Sequence, residues 1–415
     1  MYKQRALSKK IKQLAENFPA VVVSGARQVG KSTLIRHLFS GYEMVVFDPA
    51  KDVGNARKDP DLFLDNHPPP LVLDEIQYAP ELVSALKRRI DKNRIPGGYI
   101  LTGSQQWSVL KTISESLAGR CVFADMEGFS LAETAEDIPG KSWLNRWLTA
   151  PDDFIKEEAR LYKTGRSLYE QLWRGWLPEA DRLPLELLPD FHEAYFRTYI
   201  ERDVRLLADV DDWQQFGRFV QFSAAMNARE VNHSQLGRDI GVTPQTARRW
   251  LALLQATFQW HEVPAYSGNA VKRISGKAKG YFADSGLACH LQQISSPKAL
   301  GGNPQVGSLF ESAVMAEVRK MAALEPVQPA IYHWRTHAGA EIDILLERDG
   351  CFFPIEVKLT TGPSRKDTSG FRAFRETYPG LKTAPGLVIT PGHAETGKAL
   401  MKISENDYAL SWQIV

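Results

Sequence analysis

The segment over residues 21–33 constrains the fold of this chain more than any other. It carries the pattern G-x-x-x-x-G-K-[ST], which begins at Gly25 and ends at Ser32, and in which a glycine-rich loop surrounds phosphate groups. An apolar run precedes the loop at residues 21–23, and residues 33–39 predict a helix after it. This order of strand, loop and helix is what the pattern requires, and it favours a phosphate site over the alternative, a chance glycine-rich turn.

The residue types in this loop have distinct physical roles. Glycines allow backbone N–H groups to curve around phosphate oxygens, and the following helix presents its positive end to them. We expect Lys31 to reach the β- and γ-phosphates of ATP, and the Ser32 hydroxyl to ligate Mg²⁺. The residues that we expect to bind the nucleotide are Gly25, Ala26, Arg27, Gln28, Val29, Gly30, Lys31, Ser32 and Thr33.

A second strand is predicted at residues 71–75, where an apolar run follows three prolines and ends in two carboxylates. We expect Asp74 to lie beside the Mg²⁺ and Glu75 to act as the general base that polarises the attacking water. The alternative is a pair of acids at a solvent-exposed strand end. The continuous apolar run, which is typical of a strand buried on both faces, favours the catalytic interpretation.

The next predicted strand covers residues 99–105, and a polar residue at its tip can sense the γ-phosphate. Ser104 is the first choice for that role and Thr102 the second. Arg120 then comes directly before another predicted strand at residues 121–123. This is the position of an arginine finger that reaches a neighbouring subunit's nucleotide. The alternative for Arg120 is a cation at a helix C-terminus, which the helix dipole favours.

These motifs, in this order, resemble the AAA+ ATPases. The fuller pattern resembles the bacterial and archaeal AAA+ ATPases whose C-terminal domain has no known function. The resemblance covers nearly the whole chain and rests on GARQVGKST, LVLDEIQ, LTGSQ and SLAGR, and further along on YIERDV and YFADSGL. It implies the fold and an ATPase, and it leaves the sensor-2 arginine open between Arg202 and Arg205. Because Arg120 of a neighbouring subunit would complete the nucleotide site, a homo-oligomer is expected.

Residues 136–225 predict mainly helices, and the next segment has the pattern of a helix-turn-helix. A short helix is predicted at residues 234–240, with a turn at residues 241–242. Thr243 is expected to cap a second helix that begins with Pro244. Residues 263–279, with Lys272, Arg273, Lys277 and Lys279, predict a basic β-wing.

Two functions suit this predicted winged helix. Gln245, Thr246 and Arg249 would face a DNA groove while the wing lysines face phosphates. Alternatively, the module serves as a lid or packs between subunits, as winged helices in AAA+ proteins often do. The shape of a helix-turn-helix does not by itself decide between them.

Near the end of the chain, an acidic strand at residues 341–347 is followed by a hairpin turn and a return strand at residues 351–359. Asp343 on the first strand and the sequence Glu356-Val357-Lys358 on the second resemble the metal-dependent nuclease core of the restriction-endonuclease-like fold. Glu356 and Lys358 face the same side of their strand because side chains alternate. The two carboxylates would bind Mg²⁺, and Lys358 would orient or activate water.

Glu311, on a predicted upstream helix, resembles the additional acid that such folds place on their first helix. Two alternatives stay open for this constellation. The tripeptide E-x-K is common by chance, and the fold can be present as a binding platform without cleaving phosphodiesters.

Composition narrows the range of partners and compartments. The chain has 415 residues, which predicts two or three domains, and a net charge of +2, so a nucleic-acid site would have to be a local patch. Its three cysteines match no zinc spacing or disulfide framework. The charged N-terminus lacks the apolar core of a signal peptide. A cytoplasmic protein that does not enter a membrane is therefore expected.

The fold class that we predict is α/β: a P-loop AAA+ domain at residues 1–135, a helical lid and winged-helix region at 136–290, and a restriction-endonuclease-like α/β domain at 291–415. The predicted function is ATP hydrolysis coupled to DNA binding or processing, with nuclease activity left open. The alternative is a nucleotide-dependent switch whose last domain only binds a partner. No small-molecule substrate beyond the nucleotide is expected, and DNA form and oligomer size are not determined.

Overall fold

The computed structural model describes residues 2–104, 117–157, 161–199, 213–269, 273, 276–392 and 399–415. Within these residues the chain forms three β-sheets surrounded by helices. No helix in these ranges combines the length and the apolar character that a membrane crossing requires.

The N-terminal sheet is fully parallel, with the strand order β2-β3-β4-β1-β5. Its central strands β1 and β4 are buried along their whole length because helices cover both faces of a parallel sheet. The strands are β1 (Ala20–Ser24), β2 (Glu43–Val46), β3 (Leu71–Asp74), β4 (Tyr99–Gly103) and β5 (Cys121–Asp125). The helices of this region are α1 (Ser8–Asn17), α2 (Lys31–Leu38), α3 (Pro60–Asn66), α4 (Leu82–Lys92) and α5 (Leu131–Thr134).

The middle of the chain is mainly helical, as predicted. Its helices are α6 (Trp143–Thr149), α7 (Pro151–Phe154), α8 (Leu168–Arg174), α9 (Pro178–Arg182), α10 (Leu188–Thr198), α11 (Trp213–Ala225), α12 (His233–Ile240), α13 (Pro244–Ala256), α14 (Ser285–Leu291) and α15 (Pro297–Gly301). A small antiparallel sheet, in the order β6-β8-β7, contains β6 (Arg229–Glu230), β7 (Trp260–Val263) and β8 (Lys279–Phe282).

The helix-turn-helix lies where the sequence predicts it. Gly241 ends α12 in the left-handed conformation (φ 78°), which favours glycine. The Thr243 hydroxyl then accepts a hydrogen bond from the Thr246 amide at 3.1 Å and so caps α13. The predicted cap and turn are therefore confirmed.

The predicted basic wing is wrong for the part of it that carries Lys279. The segment after β7 packs on the C-terminal sheet, where the Tyr266 amide donates to the His333 carbonyl at 2.7 Å and the His333 amide donates to that of Pro264 at 3.0 Å. The Lys279 side chain is 12% exposed and pairs with carboxylates. A run of lysines thus predicted an exposed basic surface because the sequence did not reveal their partners. Lys272 lies outside the described residues.

The C-terminal sheet is mixed, with the path β14-β15-β13-β11-β10-β9 and with β12 paired to β11. The strands are β9 (Ala330–Arg335), β10 (Glu341–Arg348), β11 (Cys351–Val357), β12 (Lys382–Thr383), β13 (Gly386–Thr390), β14 (Leu400–Lys402) and β15 (Asp407–Ser411). The helices are α16 (Val306–Leu324) and α17 (Ser369–Thr377). The predicted hairpin is present, since β10 and β11 pair antiparallel up to Arg348 and Cys351.

The two faces of this sheet belong to different cores. Ile344 and Leu346 of β10 lie in the core that includes α16, whereas Leu345 lies in the core that includes Phe371 and Phe374 of α17. Strand alternation thus places a helix on each side of the sheet. This α/β architecture was predicted; the narrower restriction-endonuclease-like assignment stays a prediction.

The three predicted domains share one hydrophobic core, which includes Leu7, Val21, Trp250, Leu309 and Ile355. The predicted boundaries of 1–135, 136–290 and 291–415 therefore cross a continuous core, and they stay predictions. Helix α16 also holds the N-terminal region by polar contacts.

Three polar contacts join α16 to the segment that follows β5. They are an Arg319–Glu127 ion pair at 2.9 Å, a hydrogen bond from Lys320 Nζ to the Phe129 carbonyl at 2.7 Å, and one from the Leu131 amide to Glu317 Oε2 at 3.2 Å. The helix is thus anchored at the edge of the N-terminal sheet as well as in the C-terminal core.

Candidate functional site

The glycine-rich loop between β1 and α2 has a shape that depends on its glycines. Gly25 has φ 150°, and a Cβ there would lie 2.0 Å from the Met126 carbonyl oxygen. Gly30 has φ 95°, directly before the first residue of α2. Gln28 also has a positive φ, of 59°, which is uncommon for a residue with a side chain. The loop therefore follows a tight path that only a few residue types permit.

Lys31 and Ser32 form the first turn of α2, where backbone N–H groups face the loop without intrahelical partners. The Lys31 ammonium is buried and donates to the carbonyl oxygens of Gly25 (2.9 Å) and Ala26 (2.8 Å). Ser32 Oγ donates to Asp74 Oδ1 at 3.0 Å. The two predicted Mg²⁺ ligands, one from the loop and one from the end of β3, are thus in direct contact.

Thr102 and Ser104, the two candidates at the tip of β4, both reach the acidic end of β3. Thr102 Oγ1 donates to Asp74 and accepts a hydrogen bond from the Glu75 amide at 3.1 Å. Ser104 Oγ donates to Glu75 Oε2 at 3.4 Å. The carboxyl ends of neighbouring parallel strands meet at one edge of the sheet, which explains this convergence.

Glu75 is held in an unusual position. Its backbone is left-handed, with φ 59° and ψ 45°, a conformation that costs a residue with a side chain on the order of 1–3 kcal/mol. Gln77 Nε2 donates to its carboxylate and also to Ser104 Oγ, the latter at 3.2 Å. Sequence reasoning did not assign Gln77 a role, although it lies in the LVLDEIQ motif. Two donors, the Gln77 side-chain amide and the Ser104 hydroxyl, therefore hold the Glu75 carboxylate in position.

Arg120 lies at the opposite end of the sheet from the loop. β5 runs parallel to β1, with Cys121 beside Ala20 and Asp125 beside Ser24, so a strand length of roughly 16 Å separates Arg120 from the loop of its own chain. Its guanidinium makes two hydrogen bonds to Asp91, at 2.5 and 2.8 Å, and this pairing lowers the pKa of Asp91.

Arg202 and Arg205, the sensor-2 candidates, lie outside the described residues.

A cavity of about 160 Å³ adjoins the loop on the side of the helical region. Gly30 and Thr33 line it from the loop, and Tyr2, Phe129 and Pro178 from the surrounding segments. Arg5 also lines it, and its guanidinium donates to the Val29 carbonyl at 2.7 Å. The cavity has aromatic and polar walls next to the phosphate loop.

A second candidate site lies on β10 and β11. One carboxylate oxygen from each of Glu341, Asp343 and Glu356 lies within 4.8 Å of the others. Asp343 Oδ2 accepts the Val357 amide at 3.0 Å, and Glu356 Oε1 accepts Lys358 Nζ at 2.6 Å. Glu356 is 4% exposed, and its Oε2 is buried without a hydrogen-bond partner among the described residues.

The crowding of acids changes their protonation. Burial, and then the nearby Asp343 charge, raise the pKa of Glu356 to about 8. The same two causes raise the pKa of Glu311 to about 7. Like charges in a buried site disfavour ionisation, and a hard divalent cation relieves that repulsion. The buried oxygen of Glu356 and the three converging carboxylates suit such a cation.

Glu311 is near this group but is not one of its three carboxylates. Its Oε1 accepts Tyr281 Oη at 2.7 Å and pairs with Lys279 Nζ at 2.6 Å, and the same ammonium lies 3.0 Å from Asp343 Oδ1. Burial lowers the pKa of Lys279, but the charges of Asp343 and Glu311 outweigh this and raise it above its usual value.

Sequence reasoning missed Lys279, Tyr281 and Glu341. Lys279 and Tyr281 are two residues apart on β8, and Glu341 and Asp343 are two apart on β10, so each pair faces one side of its strand. That spacing was a usable signal for Glu341. The contact between β8 and α16 had no signal in the local sequence.

Three families match successive parts of the chain. Residues 17–135 match the family described as an AAA domain. Residues 165–298 and 306–407 match two families, each described as a domain of unknown function (DUF8612 and DUF4143). Together with the loop geometry, the first match shows that the chain carries an AAA-type P-loop ATPase domain, with the nucleotide binding and hydrolysis that this implies.

Curated relatives include uncharacterized proteins of Mycobacterium bovis and Mycobacterium tuberculosis, each 26% identical over 394 residues that cover 94% of this chain and 81% of theirs. Among solved structures, a Walker-type ATPase of Pyrococcus abyssi has a TM-score of 0.39 at 15% identity, covering 70% of this chain and 96% of its own. The RuvB Holliday junction branch migration motor of Thermotoga maritima has a TM-score of 0.31 at 14% identity, covering 63% and 90%. Scores this low carry no argument about function.

Proposed function

We propose that this protein hydrolyses ATP in a Mg²⁺-dependent reaction and couples the turnover to binding or processing DNA in the cytoplasm. The observation that carries the proposal is the presence of two sites suited to phosphate chemistry in one chain. One is the phosphate loop with Lys31 and Ser32, together with Asp74 at the end of β3. The other is the cluster of three carboxylates from Glu341, Asp343 and Glu356.

At the first site, Lys31 exchanges its two carbonyl acceptors for the β- and γ-phosphates of ATP. Ser32 and Asp74 would hold Mg²⁺, which would neutralise the phosphate charge. Glu75 orients the attacking water, and the hydroxyl groups of Thr102 and Ser104 keep the carboxylates of Asp74 and Glu75, respectively, in place.

The remaining nucleotide contacts come from other parts of the protein. The cavity beside Gly30 and Thr33 accommodates the nucleoside, with Tyr2 and Phe129 as its aromatic walls. A neighbouring subunit supplies Arg120, since the arginine of the same chain is a strand length away. The active form in this proposal is therefore an oligomer, in which Arg120 exchanges Asp91 for the nucleotide.

For DNA, the proposal uses the exposed side of the helix-turn-helix. Gln245, Arg248 and Arg249 of α13 and Arg238 of α12 are exposed, whereas Thr246 is half-buried. The arginines carry the charge for phosphate contacts, and Gln245 can form hydrogen bonds with base edges. This face is on the far side of α13 from its buried residues Ala247 and Trp250.

At the second site, Glu341, Asp343 and Glu356 would hold Mg²⁺, which would polarise a DNA phosphodiester, and Lys358 beside them would orient water. Whether DNA is cut or gripped depends on how that water is placed. The site's chemistry supports either outcome, because a metal held by these carboxylates would supply positive charge for phosphate oxygens whether or not a bond breaks.

The test is the ATPase rate with and without single-stranded, duplex and branched DNA, for the wild type and Lys31→Ala. Stimulation by one DNA form, lost in Lys31→Ala, supports the proposal and identifies the substrate class. In parallel, DNA cleavage with Mg²⁺ or Mn²⁺ is compared with that of Asp343→Ala, which keeps its ATPase activity. If no DNA form stimulates hydrolysis, the DNA coupling is wrong; if no form is cleaved, the nuclease part is wrong.

One observation favours the second candidate, a nucleotide-dependent switch. The Lys279 ammonium already neutralises Glu311 and Asp343, so the acidic site also works as a junction between the small β6-β8-β7 sheet and the C-terminal sheet. Slow hydrolysis that DNA leaves unchanged, with a nucleotide-dependent change in this junction, would support the switch.

A further inference from the structure

The acidic site contains a cation supplied by another part of the chain. Lys279 is the first residue of β8, which pairs antiparallel with β7, and we call these two strands (Trp260–Val263 and Lys279–Phe282) the wing hairpin. Its ammonium pairs with Glu311 of α16 at 2.6 Å and with Asp343 of β10 at 3.0 Å. A lysine from the middle of the chain thus lies among acids of the C-terminal region.

We propose that Lys279 is a built-in counter-ion which a divalent cation displaces, so that metal binding at Asp343 detaches this end of the wing hairpin from the C-terminal sheet. The proposal rests on the proposed function for the metal site itself. It adds a form of regulation to that site, because the metal and the Lys279 ammonium of the wing hairpin compete for the Asp343 carboxylate.

The two oxygens of Asp343 show why the competition arises. Oδ2 accepts the Val357 amide, a backbone bond that the sheet fixes, whereas Oδ1 is paired with the Lys279 side chain. A metal can therefore gain full use of Asp343 most easily by replacing the ammonium. Repulsion between an ammonium and a divalent cation a few ångströms apart acts in the same direction.

Two further acids beside Asp343 can complete the coordination of the metal. Glu356 carries a buried oxygen with no partner in the described part of the chain, and Glu341 lies on the same face of β10 as Asp343. These two carboxylates stay available to a metal while Lys279 holds Glu311. When the ammonium leaves, Glu311 Oε1 also becomes available, keeping the Tyr281 hydroxyl as its donor.

The displaced lysine has a mechanical connection to the hairpin. Lys279 pairs in the sheet with Glu230 of β6 and Val263 of β7. Two residues before it, the Lys277 carbonyl contacts His333 Nε2 of β9 at 3.0 Å. Loss of the charged contact therefore loosens residues 276–280, while Tyr266 keeps the base of the hairpin on the aromatic cluster with Tyr332, Phe352, Phe374 and Tyr378.

The first measurement is the affinity of the full-length protein for Mn²⁺ by calorimetry, for wild type, Lys279→Met, Lys279→Arg and Lys277→Met. Lys277→Met is the control, because Lys277 is exposed and this substitution removes the same charge two residues away from Lys279. We expect Lys279→Met to bind Mn²⁺ about tenfold more tightly than wild type or more. Lys279→Arg and Lys277→Met should stay near the wild-type affinity. Equal affinity of all four proteins overturns the proposal.

The second measurement is hydrogen exchange of the wild type with and without Mn²⁺. Exchange of residues 276–280 should become faster with Mn²⁺, and that of β13 should stay unchanged. Unaltered exchange at 276–280 in a protein that binds Mn²⁺ also overturns the proposal, because the metal then coexists with the ammonium. The thermal unfolding curve of each variant verifies that it is folded.

Failure of the underlying metal site gives a different result. If neither the wild type nor the folded Lys279→Met and Lys279→Arg variants bind Mn²⁺, the metal site of the proposed function is wrong, and the displacement proposal is overturned with it. If the wild type binds Mn²⁺ with an affinity that does not depend on Lys279, the metal site stands and only the displacement is wrong.

Discussion

The nucleotide site and the acidic site each contain a buried lysine, but the two lysines have different partners. Lys31 donates to two backbone carbonyl oxygens of its own loop, whereas Lys279 pairs with two carboxylates from other elements. Neutral carbonyls hold an ammonium weakly enough for phosphates to replace them, while paired carboxylates hold it strongly. The comparison suggests a site arranged to receive an anion and a site that already contains its cation.

The largest effect is expected at the nucleotide site. Lys31→Ala removes the ammonium that stabilises charge on the transferred phosphoryl group, so the ATPase rate should fall by about 10³-fold. Phosphate release at saturating ATP measures it. Lys87→Ala, at an exposed position on α4, is the matched control and should keep the wild-type rate. Substantial hydrolysis by Lys31→Ala would show that Lys31 does not stabilise the phosphates, and the functional contrast with Lys279 would no longer hold.

The second effect concerns the acidic site. Glu356→Gln keeps the size of the side chain but removes a carboxylate from the group of three, so Mn²⁺ affinity should fall by about 100-fold. Calorimetry measures the affinity, and the ATPase rate without DNA should stay the same. Glu405→Gln, on an exposed loop, is the control. An unchanged affinity for Mn²⁺ would show that Glu356 is not a ligand.

The third effect tests the shape of the phosphate loop. Gly25→Ala places a Cβ 2.0 Å from the Met126 carbonyl oxygen at φ 150°, so the free energy of unfolding should fall by about 2 kcal/mol or more. Denaturant unfolding measures this, and nucleotide affinity should fall with it. Gly41→Ala is the control, because no described atom other than its chain neighbours lies within 4 Å of the Cβ there. Equal stabilities of the two variants would contradict the tight path.

The smallest effect lies outside both sites and provides their baseline. Burial lowers the pKa of His192, which is 2% exposed and whose Nε2 contacts the Arg174 carbonyl at 3.2 Å. The unfolded chain therefore binds this proton at a higher pH than the folded chain, and stability is lost as pH falls below about 6.5.

On acidification from pH 6.5 to 5 this residue should therefore lower the free energy of unfolding. Denaturant unfolding of wild type and His192→Gln at both pH values measures the difference, and the variant should lose less stability on acidification. The same pH dependence in both proteins would show that His192 is not its source.

The sequence predicted the nucleotide site more completely than the acidic site, for a physical reason. Lys31 and Ser32 directly follow one contiguous loop, Asp74 ends β3 and Ser104 follows β4, and the carboxyl ends of these strands meet at one edge of a parallel sheet. Local patterns therefore suffice there.

In the acidic site, spacing placed Asp343, Glu356 and Lys358 together, because a hairpin joins their strands. Lys279 was predicted as part of an exposed wing because its partners lie on α16 and β10, and packing between distant elements leaves no local signal. Glu311 was predicted as a metal ligand, and the structure places the Lys279 ammonium between it and Asp343.

Helix α16 has a consequence for how this protein can change over generations. Its Arg319 and Glu317 contact the segment after β5, while its apolar side lies in the core that all three regions share. A relative's N-terminal region could not replace this one unless the residues facing α16 came with it. Inherited substitutions at Glu127 and Arg319 should therefore occur together, and recombination between these regions should seldom yield a working descendant.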